Sequence, residues 1–263
     1  VIAPNAFVHT VHKVAKSLNR EFFTGFVQND MPEFLHFFIE CMHNAISREV
    51  QMEVQGNVLN SIDKVAKIGF TTMKNIYQRD YSEMIQLFYC MNTMVLYDMK
   101  CPNDEILHNA LSIKCEPIFT IDVSIPMNQT NITLFNCMDE YCREELLDGP
   151  NMWYNEKRNV LQTVKKRMMF WSLPNYMIIT IKRFNNQLKK LGVHVDIPLK
   201  NVNFEKYVCG YNKSSYVYDL FGVCLHQGNV NSGHYFCNVL GDDGQWRQIN
   251  DTSIRVIQEN EVI

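Results

Sequence analysis

Residues 231–253 read NSGHYFCNVLGDDGQWRQINDTS, and their spacing is that of a histidine delivered to a polar partner by a hairpin. His234 follows a glycine and opens an alternating segment; GDDG at 241–244 is a strong turn signal; the returning segment ends in Asn250-Asp251. A histidine with one ring nitrogen held by an amide or carboxylate has a fixed tautomer, which leaves the other nitrogen free to act as a base. In strand geometry His234, Phe236, Asn238 and Leu240 point one way, and Tyr235, Cys237 and Val239 the other. A four-residue loop would pair 240 with 245 and His234 with Asp251. A loop one residue longer or shorter, or a bulge, brings Asn250 or Thr252 opposite instead and changes the face of Asn250. Either way an amide or carboxylate stands about 5 Å from the histidine Cβ. Gly233, having no Cβ, lets another backbone pass close by. The competing reading is a histidine on an edge strand satisfied by a polar neighbour, and spacing alone leaves both open.

The elements that must position this pair begin with helices. NDMPEFLHFFIECMHNAI places Phe34, Phe37, Phe38, Cys41, Met42, Ala45 and Ile46 on one stripe. Asp30 and Glu33 form a capping box, with Pro32 in the first turn. A second helix is predicted over 65–87, weakened by Gly69. From about Phe88, FYCMNTMVLYDMKC and SIKCEPIFTIDVSIP carry short β-like runs, predicting a hairpin-rich subregion. TLFNCMDEYCREELLDG returns to a helical period that stops at Gly149. Beyond Pro174 the chain is β-rich, and YMIITIKRF reads as a buried central strand. Helices first and strands later predict an α+β fold rather than a doubly wound sheet.

Composition narrows the function classes. At 263 residues and 46% apolar, the chain suits one large domain or two small ones with a proper core. A net charge of −3 gives no footprint for nucleic acid or a membrane surface, and no apolar run reaches the roughly 20 residues of a membrane span. Nine cysteines without regular spacing read as free thiols in a reducing compartment, predicting a cytoplasmic or nuclear protein. No cofactor is expected. The chain opens on Val1 rather than Met, in mid-pattern.

Six ordered blocks resemble the ubiquitin-specific proteases, papain-like cysteine deubiquitinases. FVQNDMPEFLHFFIECMH is similar to that family's QQDAQEF segment, SEMIQLFYCMNTMVLYDMKC and PIFTIDVSIP to the start of its fingers, ELLDGPNMWYNEKRN to its second finger segment, FWSLPNYMIITIKRF to its LP…LKRF segment, and YDLFGVCLHQGNVNSGHYFCNV with WRQINDTS to its His box. The resemblance implies a single, partial catalytic domain over 1–263: remaining helical thumb 1–87, fingers 88–170, palm with the His box 171–263. It implies hydrolysis of the isopeptide or peptide bond after ubiquitin's C-terminal glycine, with ubiquitin and ubiquitinated proteins as partners. His234 would be the base, Asn250 its orienting amide and Asp251 a supporting acid; here the resemblance selects Asn250. Asp30 and Glu33 match acids that receive the arginine-bearing tail of ubiquitin, and His226 and Gly233 border the same channel; for Asp30 and Glu33 the capping role stands beside this one.

Two departures from the family pattern matter. The family's GNTCYMNS-like nucleophile box does not occur between Val1 and Ile263, so the catalytic thiol is expected upstream, and part of the thumb with it. Cys90, in YCMNT, stands where the family carries a glycine. The fingers' zinc pairs are also eroded: Cys101 with Asp104, and Asn155 with Arg158, do not make a tetrahedral cage, and no metal is expected. The alternative function is a catalytically inactive module that holds ubiquitin; a weaker one is an interaction scaffold.

Overall fold

The computed structural model describes residues 4–25, 27–127 and 130–263. Phe26, which opens the FVQNDMPEF block, lies outside the described residues. The elements are, in order, α1 (Asn5–Ser17), α2 (Met31–Ile46), α3 (Ser61–Asp80), α4 (Glu83–Phe88), β1 (Cys90–Tyr97), β2 (Ala110–Ile118), β3 (Ile121–Ser124), β4 (Ile132–Thr133), α5 (Leu134–Tyr141), β5 (Glu145–Leu147), β6 (Trp153–Asn155), β7 (Val160–Gln162), β8 (Val164–Ser172), β9 (Ile179–Lys182), β10 (Val195–Asp196), β11 (Val202–Asn203), β12 (Val217–Tyr218), β13 (Gly222–Gly228), β14 (Gly233–Leu240), β15 (Trp246–Asn250) and β16 (Ser253–Ile257). Helices precede strands, with α5 set among them, so the α+β expectation matches. Two compact units emerge: Val1–Cys41 with Arg183–Val193 and Asp219–Ile263, and Met42–Lys182 with His194–Tyr218.

In the first unit, α1 and the start of α2 close around Ala15, Phe23 and Phe37, with Phe34 and Cys41 packed against them. The α2 stripe is buried only in part: Met42, Ala45 and Ile46 are exposed, while Ile39, off the stripe, is buried. The other half of this unit is an antiparallel sheet in the order β13-β14-β15-β16. On the face that carries His234, Asn238, Trp246 and Ile257 are buried, and Asn238 Nδ2 donates to the Val262 carbonyl at 2.9 Å. The opposite face leaves Ile254 and Val256 exposed.

In the second unit, β2-β1-β8-β5 form an antiparallel sheet, and α3 packs Val65 and Ala66 against Met91, Cys115, Trp171 and Cys209. The helix predicted over 65–87 is two helices. Asn60 and Asp63 cap each other and start α3 earlier, and Tyr81 leaves the helix to bridge Arg48. The period read through to Gly149 ends at Tyr141. The helix stops at Cys142, and 145–147 pair with β8 instead, where Glu145 meets Lys166 at 2.9 Å. YMIITIKRF is not a central strand: only 179–182 are β, paired in parallel with β3 alone and half-buried. Its first residues serve loop bonds, such as the Tyr176 amide to the Leu87 carbonyl at 2.9 Å.

The β6–β7 hairpin satisfies itself. Asn155, 5% exposed, donates to Gln162 Oε1 at 3.1 Å and accepts the Arg158 amide at 3.2 Å. Cys101 donates its thiol to the Pro102 carbonyl at 3.4 Å. An amide locked into its own turn and an arginine are no zinc ligands, so the donor set at these positions does not fit the metal.

Candidate functional site

Leu240 pairs with Trp246 and Cys237 with Ile249, so the connecting loop holds five residues, 241–245. The four-residue reading, with Asp251 opposite His234, is therefore corrected. Gly241 N–H bonds the Gln245 carbonyl, Gly244 N–H bonds the Gly241 carbonyl, and Gly244 takes φ +75°, which lets the extra residue fit. Extrapolated, the register sets Thr252 opposite His234, beyond the last ladder pair, and puts Asn250 on the same face as the histidine.

Asn250 comes within reach across the diagonal. His234 Nε2 lies 2.7 Å from Asn250 Oδ1. An amide oxygen only accepts, so Nε2 carries the proton and Nδ1 keeps its lone pair. Asp251 Oδ2 is 3.8 Å from the same nitrogen. Asn250 pairs with Ser253, so Asp251 and Thr252 form a two-residue turn with Asp251 at φ +50°. That left-handed corner, which Asp tolerates, swings its carboxylate back toward the ring. The imidazole is 45% exposed and Asp251 is 77% exposed.

The second group of residues sits at the same end of this sheet, on its other face. His226 pairs with Tyr235, their rings 4.7 Å apart, and Gln227 pairs with His234. Tyr235 donates its hydroxyl to Asp30 Oδ2 at 3.2 Å, and Asp30 Oδ1 accepts the Glu33 amide at 3.1 Å. Asp30 thus caps α2 and still presents an exposed carboxylate; Glu33 is exposed beside it. Burial first, then the nearby Lys190 ammonium, pull the His226 imidazole below its ordinary pKa, with Asp30 opposing them. At Gly233 a Cβ would sit 2.0 Å from His226 Nε2 and 2.6 Å from the Gln227 carbonyl oxygen, so glycine is required there. The close neighbour is a side chain as well as a backbone.

Three participants escaped the sequence reading. Gln28 Oε1 accepts the Gly233 amide at 3.3 Å, Tyr235 holds Asp30, and Lys190 reaches His226. Gln28 and Lys190 lie 205 and 36 residues from their partners, and no local pattern announces such contacts.

Seven of the nine thiols are raised above the ordinary cysteine value. Burial raises Cys90, Cys142 and Cys209 to about 12 each, and Cys224 to about 11. It also raises Cys41, Cys115 and Cys237. Cys137 is buried in α5, and Cys101 is bonded to the Pro102 carbonyl.

Comparison with known proteins places these observations. The family profile described as ubiquitin carboxyl-terminal hydrolase matches residues 1–263. Ubiquitin carboxyl-terminal hydrolase Usp2 of Drosophila melanogaster is 27% identical over 268 aligned positions, covering 98% of this chain and 27% of that protein. Ubiquitin carboxyl-terminal hydrolase 2 of Homo sapiens is 25% identical, covering 100% of this chain and 42% of that one. Ubiquitin carboxyl-terminal hydrolase 9 of Arabidopsis thaliana is 31% identical over 138 residues, 51% of this chain and 15% of its own length. A chain in the solved SAGA DUB module of Ubp8, Sgf11, Sus1 and Sgf73 bound to monoubiquitin superposes with a TM-score of 0.68 at 20% identity, over 95% of this chain and 49% of that one. The fold is that of the papain-like ubiquitin-specific protease catalytic domain. The chain spans half or less of the length of each of these relatives.

Proposed function

Because the chain belongs to the ubiquitin carboxyl-terminal hydrolase family, we propose that it carries the base and orienting amide of a thiol-dependent deubiquitinase. The observation that carries this is the 2.7 Å contact between His234 Nε2 and Asn250 Oδ1, which leaves Nδ1 with its lone pair on a half-exposed ring. His234 Nδ1 takes the proton of a cysteine thiol. The thiolate attacks the carbonyl of ubiquitin's terminal glycine, and the imidazolium returns its proton to the departing lysine amine. Water, deprotonated by the same nitrogen, then releases the thioester. Asn250 keeps the ring in place throughout, and Asp251 Oδ2 lies 3.8 Å from His234 Nε2.

The nucleophile comes from outside these nine cysteines. A catalytic thiol needs a lowered pKa, and the resolved shifts here all run upward. Asp30, Glu33, His226 and Gly233 border the channel for the arginine-bearing tail, with Asp30 as the charge that meets it. The other reading, a module that binds ubiquitin without cleaving it, rests on the same thiol chemistry.

Hydrolysis of a fluorogenic ubiquitin amide by the full gene product, wild type against His234→Ala, tests the proposal alongside ubiquitin titration. Turnover lost by roughly 10²–10⁴-fold with binding retained supports it. Equal turnover in both proteins overturns it, and binding without turnover in the wild type selects the inactive module.

A further inference from the structure

Lys190 belongs to neither the His box nor the acids of α2, yet it makes two bonds to one residue. Its Nζ lies 2.6 Å from the His226 carbonyl oxygen and 3.1 Å from His226 Nδ1. An ammonium only donates, so Nδ1 is the acceptor and the ring's proton is on Nε2. Lys190 is placed there by a tight turn. Phe184 bridges Lys190, Asn185 Oδ1 accepts the amides of Gln187 and Lys189 at 3.0 Å each, and Leu188 takes φ +60°. The ring itself is boxed in by Tyr235 at 4.7 Å and Phe184 at 6.1 Å, and its Nε2 edge fills the space a side chain at 233 would need.

We propose that Lys190 is a positioning residue: it fixes the orientation and tautomer of His226 and clamps the 183–193 turn to β13, giving the tail channel one preformed wall. This rests on the reading of Asp30 and His226 as the tail channel. The charges that face His226 are Lys190 from the turn and Asp30 from the start of α2; the neutral Tyr235 hydroxyl faces it from β14, and on its own strand Cys224 lies two residues away on the same face. A second positive charge on the ring would compete with a cationic tail for the Asp30 carboxylate. The Lys190 ammonium disfavours that charge and leaves Asp30 for the incoming arginine.

The test is imidazole NMR of the ¹⁵N-histidine-labelled chain through pH 5–8, for wild type, Lys190→Met, Lys190→Gln and Lys190→Arg, with ubiquitin titrated into each. In the wild type His226 holds the Nε2–H tautomer. Removing the charge raises its titration midpoint, mixes the tautomers and weakens ubiquitin binding roughly fivefold or more, while arginine restores all three. A folded methionine or glutamine variant with unchanged midpoint and tautomer overturns the proposal; the glutamine variant decides if the methionine one unfolds. Failure of ubiquitin to bind the wild type refutes the channel reading instead, and the imidazole signals still decide the role of Lys190.

Discussion

Gly233→Ala converts the crowding beside His226 into a measurable cost. The new methyl would stand 2.0 Å from His226 Nε2, 2.8 Å from its Cε1 and 2.6 Å from the Gln227 carbonyl oxygen. The ring can turn away only by giving up its contacts with Lys190 and Tyr235. The carbonyl is main chain in the β13–β14 ladder, so it yields only if the ladder opens there. Overpacking of this kind costs about 1–3 kcal/mol, or about 2–12 °C in Tm for a domain near this size. Gly222→Ala is the control, since a Cβ there meets nothing within 4 Å. Thermal unfolding of the two variants against wild type is the assay. Adding His226→Ala to Gly233→Ala relieves the ring clash and leaves the carbonyl clash, so the double-mutant cycle shows a coupling above zero and below the full Gly233→Ala cost. A Gly233→Ala protein within 1 °C of the glycine control would refute the reasoning.

Other perturbations separate the parts of the site. Asn250→Ala lowers kcat of the full gene product between about tenfold and a thousandfold with KM little changed, read in the fluorogenic ubiquitin assay. On the proposed tail reading, Asp30→Lys reverses the charge offered to the tail and weakens ubiquitin binding at least about tenfold by titration, while the far-UV circular dichroism of the protein changes little. Acid unfolding reports on Glu83, whose carboxyl the Arg48 guanidinium holds down from 4.5 to about 2. A depressed folded pKa means its contribution is complete above 4.5 and fades as pH falls toward 2, so Glu83→Gln shows a shallower loss of denaturation midpoint across that window. Cys90, Cys142 and Cys209, held near 12, stay unmodified by iodoacetamide at pH 7.5 in the native protein and react once it is unfolded, by mass spectrometry.

Much of the site was legible because its parts are close in sequence. A hairpin brings His234 within reach of residues 250–252 under any nearby register, and the resemblance chose among them. The register itself was not legible. The GDDG signal counts four residues, but the loop closes from Gly241 to Gln245 through backbone bonds that depend on Gly244 at φ +75°. Helix ends failed for a related reason. Residues 145–147 keep a helical period yet find better partners in the β8 ladder, a tertiary gain that propensity does not see. The run 176–184 is apolar enough for a central strand, but half of it is spent on loop contacts and the rest pairs one neighbour. Lys190 was beyond reach altogether: it looks like one more solvated lysine until the turn at Asn185 folds it onto β13.

Base catalysis by His234 requires that Nδ1 be the free ring nitrogen. Long-range ¹H–¹⁵N correlation of the ¹⁵N-histidine-labelled chain above the imidazole titration reads this directly. A dominant Nε2–H signal that collapses into tautomer exchange in Asn250→Ala is the predicted result. A proton resident on Nδ1, or a His234 signal indifferent to loss of the amide, would contradict it.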